Sequence, residues 1–167
     1  MARTRPRTAG GVNGRGAEPA AADPRLHDLY RRPGHLLRRA HQASVAVFAD
    51  ECGSLGLTPA QYGVLAALDA LGEIDQAGLA RALGLDAATA GQVLRGLERR
   101  GLVMRRASAS DRRRTNVRPT AAGRRLAASA TAGVRRAQRR LLAPLSASER
   151  RRLLALLARI AFAERPR

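Results

Sequence analysis

The run from Asp75 to Thr120, DQAGLARALGLDAATAGQVLRGLERRGLVMRRASASDRRRTNVRPT, leaves few choices of local structure. Leu79, Ala80, Ala82 and Leu83 recur at helical spacing and form an apolar face. Gly84 follows where the chain must turn, because glycine accepts the left-handed backbone that ends a helix. Asp86 then offers a short carboxylate to the free N–H groups of a second helix. That helix is expected to bury Val93, Leu94 and Leu97 and to stop at Gly101. Leu102 to Arg106 and Arg114 to Arg118 read as two short strands around a polar loop, a small basic hairpin.

The opposite face of the second helix is small and polar: Ala87, Ala88, Thr89, Gly91, Gln92 and Arg95. Small side chains let a backbone approach the base edges of a DNA major groove. Arginine can bond guanine through two parallel bonds and glutamine can do the same to adenine. Gly91 and Gly96 each cost about 1 kcal/mol of helix propensity relative to alanine. Close approach to another surface explains that cost, and so does tight packing inside the domain. The plain alternative is a helical hairpin with a solvated charged face. The basic hairpin that follows at the spacing of a winged helix-turn-helix argues against it.

The order helix, helix, basic wing, with D-R-R at Asp111, Arg112 and Arg113, resembles the multiple-antibiotic-resistance regulator (MarR) family of bacterial transcription factors. L-T-P-A-Q-Y at Leu57 to Tyr62, L-E-R-R-G-L-V at Leu97 to Val103 and R-P-T-A-A-G at Arg118 to Gly123 carry the same resemblance. It covers residues from about Pro33 to Ala163. The wing departs from the pattern in having a third arginine, Arg114. The fold expected is mainly α with a small β-wing, a winged helix-turn-helix reader domain plus a helical dimerisation region. Partners expected are double-stranded DNA and a second copy of the chain. DNA contacts fall to Ala87, Ala88, Thr89, Gln92, Arg95, Arg112, Arg113 and Arg114, with Asp111 positioning one of the arginines by an ion pair.

Charge points the same way. The chain has 167 residues, long enough for one domain with a real core, and a formal net charge of +18. All of its Lys+Arg charge is arginine, for which codon bias is an alternative to selection for a partner. A polyanion is the default partner at this charge. A membrane surface is the rival, but no apolar run approaches the roughly 20 residues that span a bilayer. The basic N-terminus lacks the apolar segment and cleavage site of a signal peptide. A single cysteine excludes an internal disulfide framework and fits the cytoplasm. Aromatic residues make up 2% of the chain, too few for base-stacking platforms.

In chain order, residues 1–24 read as a disordered basic tail, too poor in apolar side chains to offset its ordering entropy. Residues 25–57 hold a dimerisation helix from Pro33 to about Ser54, with Leu37, Ala40, Ser44, Val47 and Phe48 on one face. The reader domain spans 58–120. It opens with a capping box, Thr58 and Gln61, and proline at the first helical position, before a stripe of Val64, Leu65, Leu68 and Leu71. Residues 121–167 hold two further dimerisation helices. The first is capped by Thr120 and striped by Leu126, Ala130, Val134, Ala137 and Leu141. Pro144 breaks it, and a second capping box, Ser146 and Glu149, starts the last helix. A two-fold assembly would place paired reader helices about one DNA turn apart.

Motifs of enzyme chemistry are missing: no phosphate-binding G-x-x-x-x-G-K-[ST], no H-E-x-x-H, no G-x-S-x-G. No cofactor is expected. His35 and His41 are six apart rather than four, so a zinc site is poorly supported. Cys52 follows Asp50 and Glu51, whose charges raise a thiol pKa, which favours an inert cysteine over a redox sensor. P-G-H-L-L-R-R-A-H-Q at Pro33 to Gln42 resembles the first helix of MarR members responsive to aromatic carboxylates and phenols. That resemblance implies that Arg38, or Arg39, holds a ligand carboxylate, with His35, His41 and Ser44 in reach of a ring hydroxyl. A solvated or interface role for Arg38 weighs equally. The leading expectation is a sequence-specific regulator, a repressor released by a small aromatic acid or phenol. A non-specific architectural nucleoid protein is the second, and an RNA-binding protein the third.

Overall fold

The computed structural model describes residues 26–107 and 114–163. The N-terminal tail and the Asp111–Arg113 part of the wing lie outside the described residues. The chain separates into two compact units, Leu36–Leu142 and a second one joining the residues up to His35 to those from Ala143 onward.

The larger unit holds most of α2 (Pro33–Cys52), a single 3-10 turn (Gly53–Leu55), α3 (Pro59–Leu71), β1 (Ile74–Asp75), α4 (Gln76–Leu83) and α5 (Ala87–Arg99). The strands β2 (Val103–Ala107) and β3 (Thr115–Pro119) and the long helix α6 (Ala121–Leu141) complete it. Local chemistry sets the boundaries. Thr58 and Gln61 form the reciprocal capping box, and Asp75, Asp86 and Thr120 each accept a backbone N–H three residues on. Gly84 and Gly101 close α4 and α5 with φ of 63° and 66°. At Gly101 both bonds of a Schellman ending form: Gly101 N–H to Glu98 O, and Leu102 N–H to Leu97 O.

One core fills this unit. Val64, Leu65 and Leu68 of α3 meet Leu79 of α4, Leu94 and Leu97 of α5, Val103 and Val117 of the sheet and Ala130 of α6. Each such leucine contributes about 1.5–3 kcal/mol by leaving water. The sheet is antiparallel in the order β1-β3-β2, with Ile74 opposite Val117 and Arg106 opposite Asn116.

Several expectations change. β1 is a third strand that alternation could not show, since it has two residues. The hairpin strands begin one residue later than expected. Leu71 is exposed, because Gly72 ends α3 there and carries the last turn past the core. Leu37 and Ala40 are exposed in the single chain, so α2 buries only Phe48 and Cys52. Val93 is only partly buried. On α6 the buried line is Gly123, Ala127, Ala130, Gly133 and Ala137, with Leu126, Val134 and Leu141 half-buried beside it. Small residues sit there because neighbours come close. A Cβ on Gly133 would lie 2.8 Å from both Cys52 Sγ and the Glu51 carbonyl, and one on Gly123 would run into the Leu102 carbonyl.

Charge pins the same seam. Arg136 Nε donates to Glu51 at 2.6 Å, and Arg140 reaches Glu51 at 2.8 Å and Asp50 at 3.0 Å. The bonds from Arg140 and then Arg136 hold the Glu51 carboxyl below its ordinary pKa. Cys52 is fully buried, and burial, more than its carboxylate neighbour, pushes its thiol pKa up, with Arg136 opposing.

In the second unit are α1 (His27–Tyr30) and α7 (Ala147–Ala161). The Ser146–Glu149 capping box starts α7 as expected. Its apolar residues have little cover: no residue of α7 is buried, Leu153 is half-buried, and Leu154, Leu156, Leu157 and Ile160 are exposed. Among the described residues no helix is long and apolar enough to cross a membrane.

Candidate nucleic-acid interface

Helix α5 turns its apolar side to the core and leaves Ala87, Ala88, Gln92 and Arg95 exposed on the other. Its first turn is stiff. Asp86 accepts the Thr89 N–H at 2.8 Å and the Thr89 hydroxyl at 2.7 Å, and these bonds lower the Asp86 pKa. Thr89 is half-buried, and its hydroxyl hydrogen is used on Asp86, which leaves that oxygen only as an acceptor. Gly91 is buried rather than exposed, a correction to its place on the open face. The Arg95 side chain folds back over it, and a Cβ there would meet Arg95 Nη1 at 3.2 Å and Gln76 Nε2 at 3.8 Å. Both neighbours are flexible side-chain ends, so internal packing does not demand glycine at 91.

Arg114 is exposed at the foot of β3 and shares a shallow cleft of about 260 Å³ with Gln76, Ala77, Ala87 and Ala90. The structure therefore brings a wing arginine beside the start of α5. Asp111, Arg112 and Arg113 lie outside the described residues. Gln76 and Ala77, at the N-terminus of α4 and next to this surface, were not singled out from the sequence. Their signal was Asp75, which caps α4 by accepting the Gly78 N–H at 2.9 Å.

The loop end of the wing strands is held by a residue whose role the sequence pattern does not reveal. Glu73 accepts from Arg106 Nη2 at 3.0 Å and from Asn116 Nδ2 at 2.9 Å, bridging a cross-strand pair. The Asn116 bond is the larger cause of its lowered pKa. On β2, Arg105 Nε donates to Glu98 of α5 at 2.9 Å, tying the wing to the helix.

A second cleft, of about 180 Å³, lies in the same unit between α2, α3 and α6. Ser44 and Phe48, Tyr62, Val134, Gln138 and Leu141 are among its walls. Of the four residues expected at a ligand site, Ser44 alone lines it. Arg38 is exposed and donates to Gln42 at 3.4 Å, His41 is exposed, and His35 belongs to the other unit, where its ring meets Tyr30 edge-on at 5.4 Å. Residues three apart on a helix fall back by about 60° per step, so a spacing of 35, 38, 41, 44 cannot share one face. Among the described residues no group of three or more metal-ligating side chains comes together.

Residues 55–114, which run from the bend before α3 to the foot of β3, match the model of the MarR family. The HTH-type transcriptional repressor NicR of Pseudomonas putida is 35% identical over 107 residues, 64% of this chain and 68% of NicR. Two solved structures share the fold over nearly their full length. CouR, a transcriptional repressor bound to a 23-mer DNA duplex, is 35% identical with a TM-score of 0.75, covering 84% of this chain and 99% of that one. BpsR of Bordetella bronchiseptica, whose DNA binding is regulated by 6-hydroxynicotinic acid, is 31% identical with a TM-score of 0.76, covering 80% and 96%. With the capped α4–α5 pair, the three-stranded wing and the long flanking helices all in the matching order, the chain belongs to the MarR family of transcriptional regulators.

Proposed function

We propose that the protein binds a pseudo-palindromic operator as a homodimer and represses transcription until a small aromatic acid or phenol releases it. The observation that carries this reading is the exposed face of α5, with Gln92 and Arg95 among alanines and Arg114 alongside. Gln92 and Arg95 have the donors and acceptors that read adenine and guanine edges. Arg114, together with Arg112 and Arg113, supplies phosphate or minor-groove contacts, where arginine is favoured in narrow grooves. The division of labour is a reader domain at 58–120 between dimerisation helices at 25–57 and 121–167, with residues 1–24 as a basic tail.

The uncovered apolar residues of α7 and of the N-terminal half of α2 support a second copy as partner. The α2–α3–α6 cleft supports an aromatic effector: Phe48, Tyr62 and Val134 give an apolar wall, while Ser44 and Gln138 give polar contacts. Arg38 is not a wall of this cleft and starts about 9 Å along α2 and about 120° around it from Ser44, by helix geometry; its long guanidinium arm is the candidate for the effector's carboxylate. BpsR, with its 6-hydroxynicotinic acid, supports the choice of class.

The test is a footprint on DNA flanking its own gene, followed by binding of Arg95→Ala at several salt concentrations. With Arg95 as a base reader, the substitution costs about 1–3 kcal/mol on the operator and relaxes specificity. A uniform loss with a shallower salt slope would move Arg95 to the phosphate contacts. Titration of 6-hydroxynicotinate and benzoate against wild type and Arg38→Ala tests the effector, and an unchanged response in the variant removes Arg38 from the site. The architectural reading requires duplex binding without any footprint.

A further inference from the structure

We infer that Arg100 is the positioning residue that ties the end of the DNA-reading helix to the bend between α2 and α3, and through that bend to the effector cleft. Its role is physical continuity between two parts of the larger unit that are far apart in sequence. Arg100 stands at the C-cap of α5. Its guanidinium leaves the helix and crosses to a bend 44 residues earlier. Nη1 donates to the Gly56 carbonyl at 2.6 Å and Nη2 to the Leu55 carbonyl at 3.3 Å. Those carbonyls close the 3-10 turn after α2, where a cation is favoured by the partial negative charge of unpaired C=O groups.

The acceptor side is shaped for this grip. Gly56 has φ of 62°, which turns the chain sharply. The guanidinium lies beside its Cα, where a Cβ would make only an ordinary contact, 3.6 Å from Nη2, so the positive φ is what favours glycine here. Two bonds from one planar fork hold an orientation, whereas a lysine ammonium would hold only a point.

The geometry also says what is joined. The bend lies between Phe48 of α2 and Pro59 and Tyr62 of α3, all three of which line the cleft. A change in the angle between α2 and α3 moves the Leu55 and Gly56 carbonyls, and Arg100 carries that movement to α5. Two other tethers at this end of α5, Glu98 to Arg105 and Thr120 to the Gly101 carbonyl, run to the wing and to the start of α6. Arg100 thus adds to the DNA-facing assembly a link that leads away from DNA. The inference rests on the proposed reading of α5 as DNA-facing and of the cleft as the effector site. Coupling of this kind is reciprocal, so DNA on α5 must also steady the bend.

Hydrogen–deuterium exchange of the full chain tests this, comparing wild type, Arg100→Lys and Arg100→Gln, free and saturated with a duplex from upstream of its own gene. In wild type, DNA slows exchange along α5 and, by about fivefold or more, at residues 56–62. In Arg100→Gln the protection of α5 remains and that of the bend is lost, with Arg100→Lys in between. Protection confined to α5 in wild type overturns the coupling and leaves the regulator reading intact, as does a bend still protected in Arg100→Gln. No protection anywhere in wild type overturns the DNA-binding reading and the coupling with it.

Discussion

At Gly133 a missing side chain decides how closely two helices approach. Its Cα faces Cys52 Sγ and the Glu51 carbonyl, neither of which can swing aside as a long side chain does. Gly133→Ala is expected to destabilise the chain by about 1–3 kcal/mol, read as a lower urea midpoint at unchanged slope. Gly91→Ala is the control, since only flexible side-chain ends lie near its Cβ position. Gly91 and Gly96 stand out in the helical pattern of α5, whereas nothing in the pattern of α6 marks Gly123 or Gly133. The reason is physical: a glycine required by a neighbour's backbone announces nothing in its own flanking residues. For the same reason Glu73, whose partners Arg106 and Asn116 are 33 and 43 residues away, was invisible, while Arg95 and Gln92 could be chosen from the pattern of α5 alone.

Helix ends were the most legible elements. The caps at Thr58, Asp86, Thr120 and Ser146 each depend on a residue three positions on, within the reach of sequence pattern. β1 depends on Val117, far along the chain, and could not be found that way. Thr120 shows what a cap can add beyond its own helix. Its hydroxyl accepts the Gly123 N–H at 3.0 Å and donates to the Gly101 carbonyl at 2.8 Å, and its backbone N–H bonds Leu102 O at 3.0 Å. It therefore fastens the start of α6 to the turn between α5 and the wing. Thr120→Ala is expected to cost about 1–2 kcal/mol, measured by thermal or urea unfolding, and Thr120→Ser to restore most of it. Loss confined to α6 exchange, with no effect on α5 or β2, would show that the hydroxyl serves one helix only.

For the whole molecule, the formal charge of +18 and the uncovered apolar residues act at different ranges. Charge draws any duplex, and salt screens it. In the proposed dimer, the apolar face of α7 sets how many copies arrive together. Ile160 is 64% exposed in the single chain, a poor solution for a large aliphatic residue unless another surface covers it. Ile160→Glu is expected to halve the mass seen by sedimentation equilibrium and to abolish operator binding while leaving weak, salt-sensitive duplex binding. An unchanged mass would move the interface off α7. Here periodicity was a fair guide to which faces are apolar, but it could not separate an apolar face covered within the chain from one left bare. Leu37 and Leu68 look alike in sequence and differ wholly in burial.

The seam at Gly133 has a mechanical consequence. α2 and α6 come closest at Cys52 and Gly133 and are bolted beside that point by Glu51, Arg136 and Arg140, while the cleft begins at Phe48 and Val134 and extends to Ser44 and Leu141. Such a pair behaves like shears with a tight rivet: a guest between the blades cannot part them evenly and must swing one about the rivet. Guest thickness then becomes a rotation, and the closer the rivet fits, the less of that rotation is lost as slack.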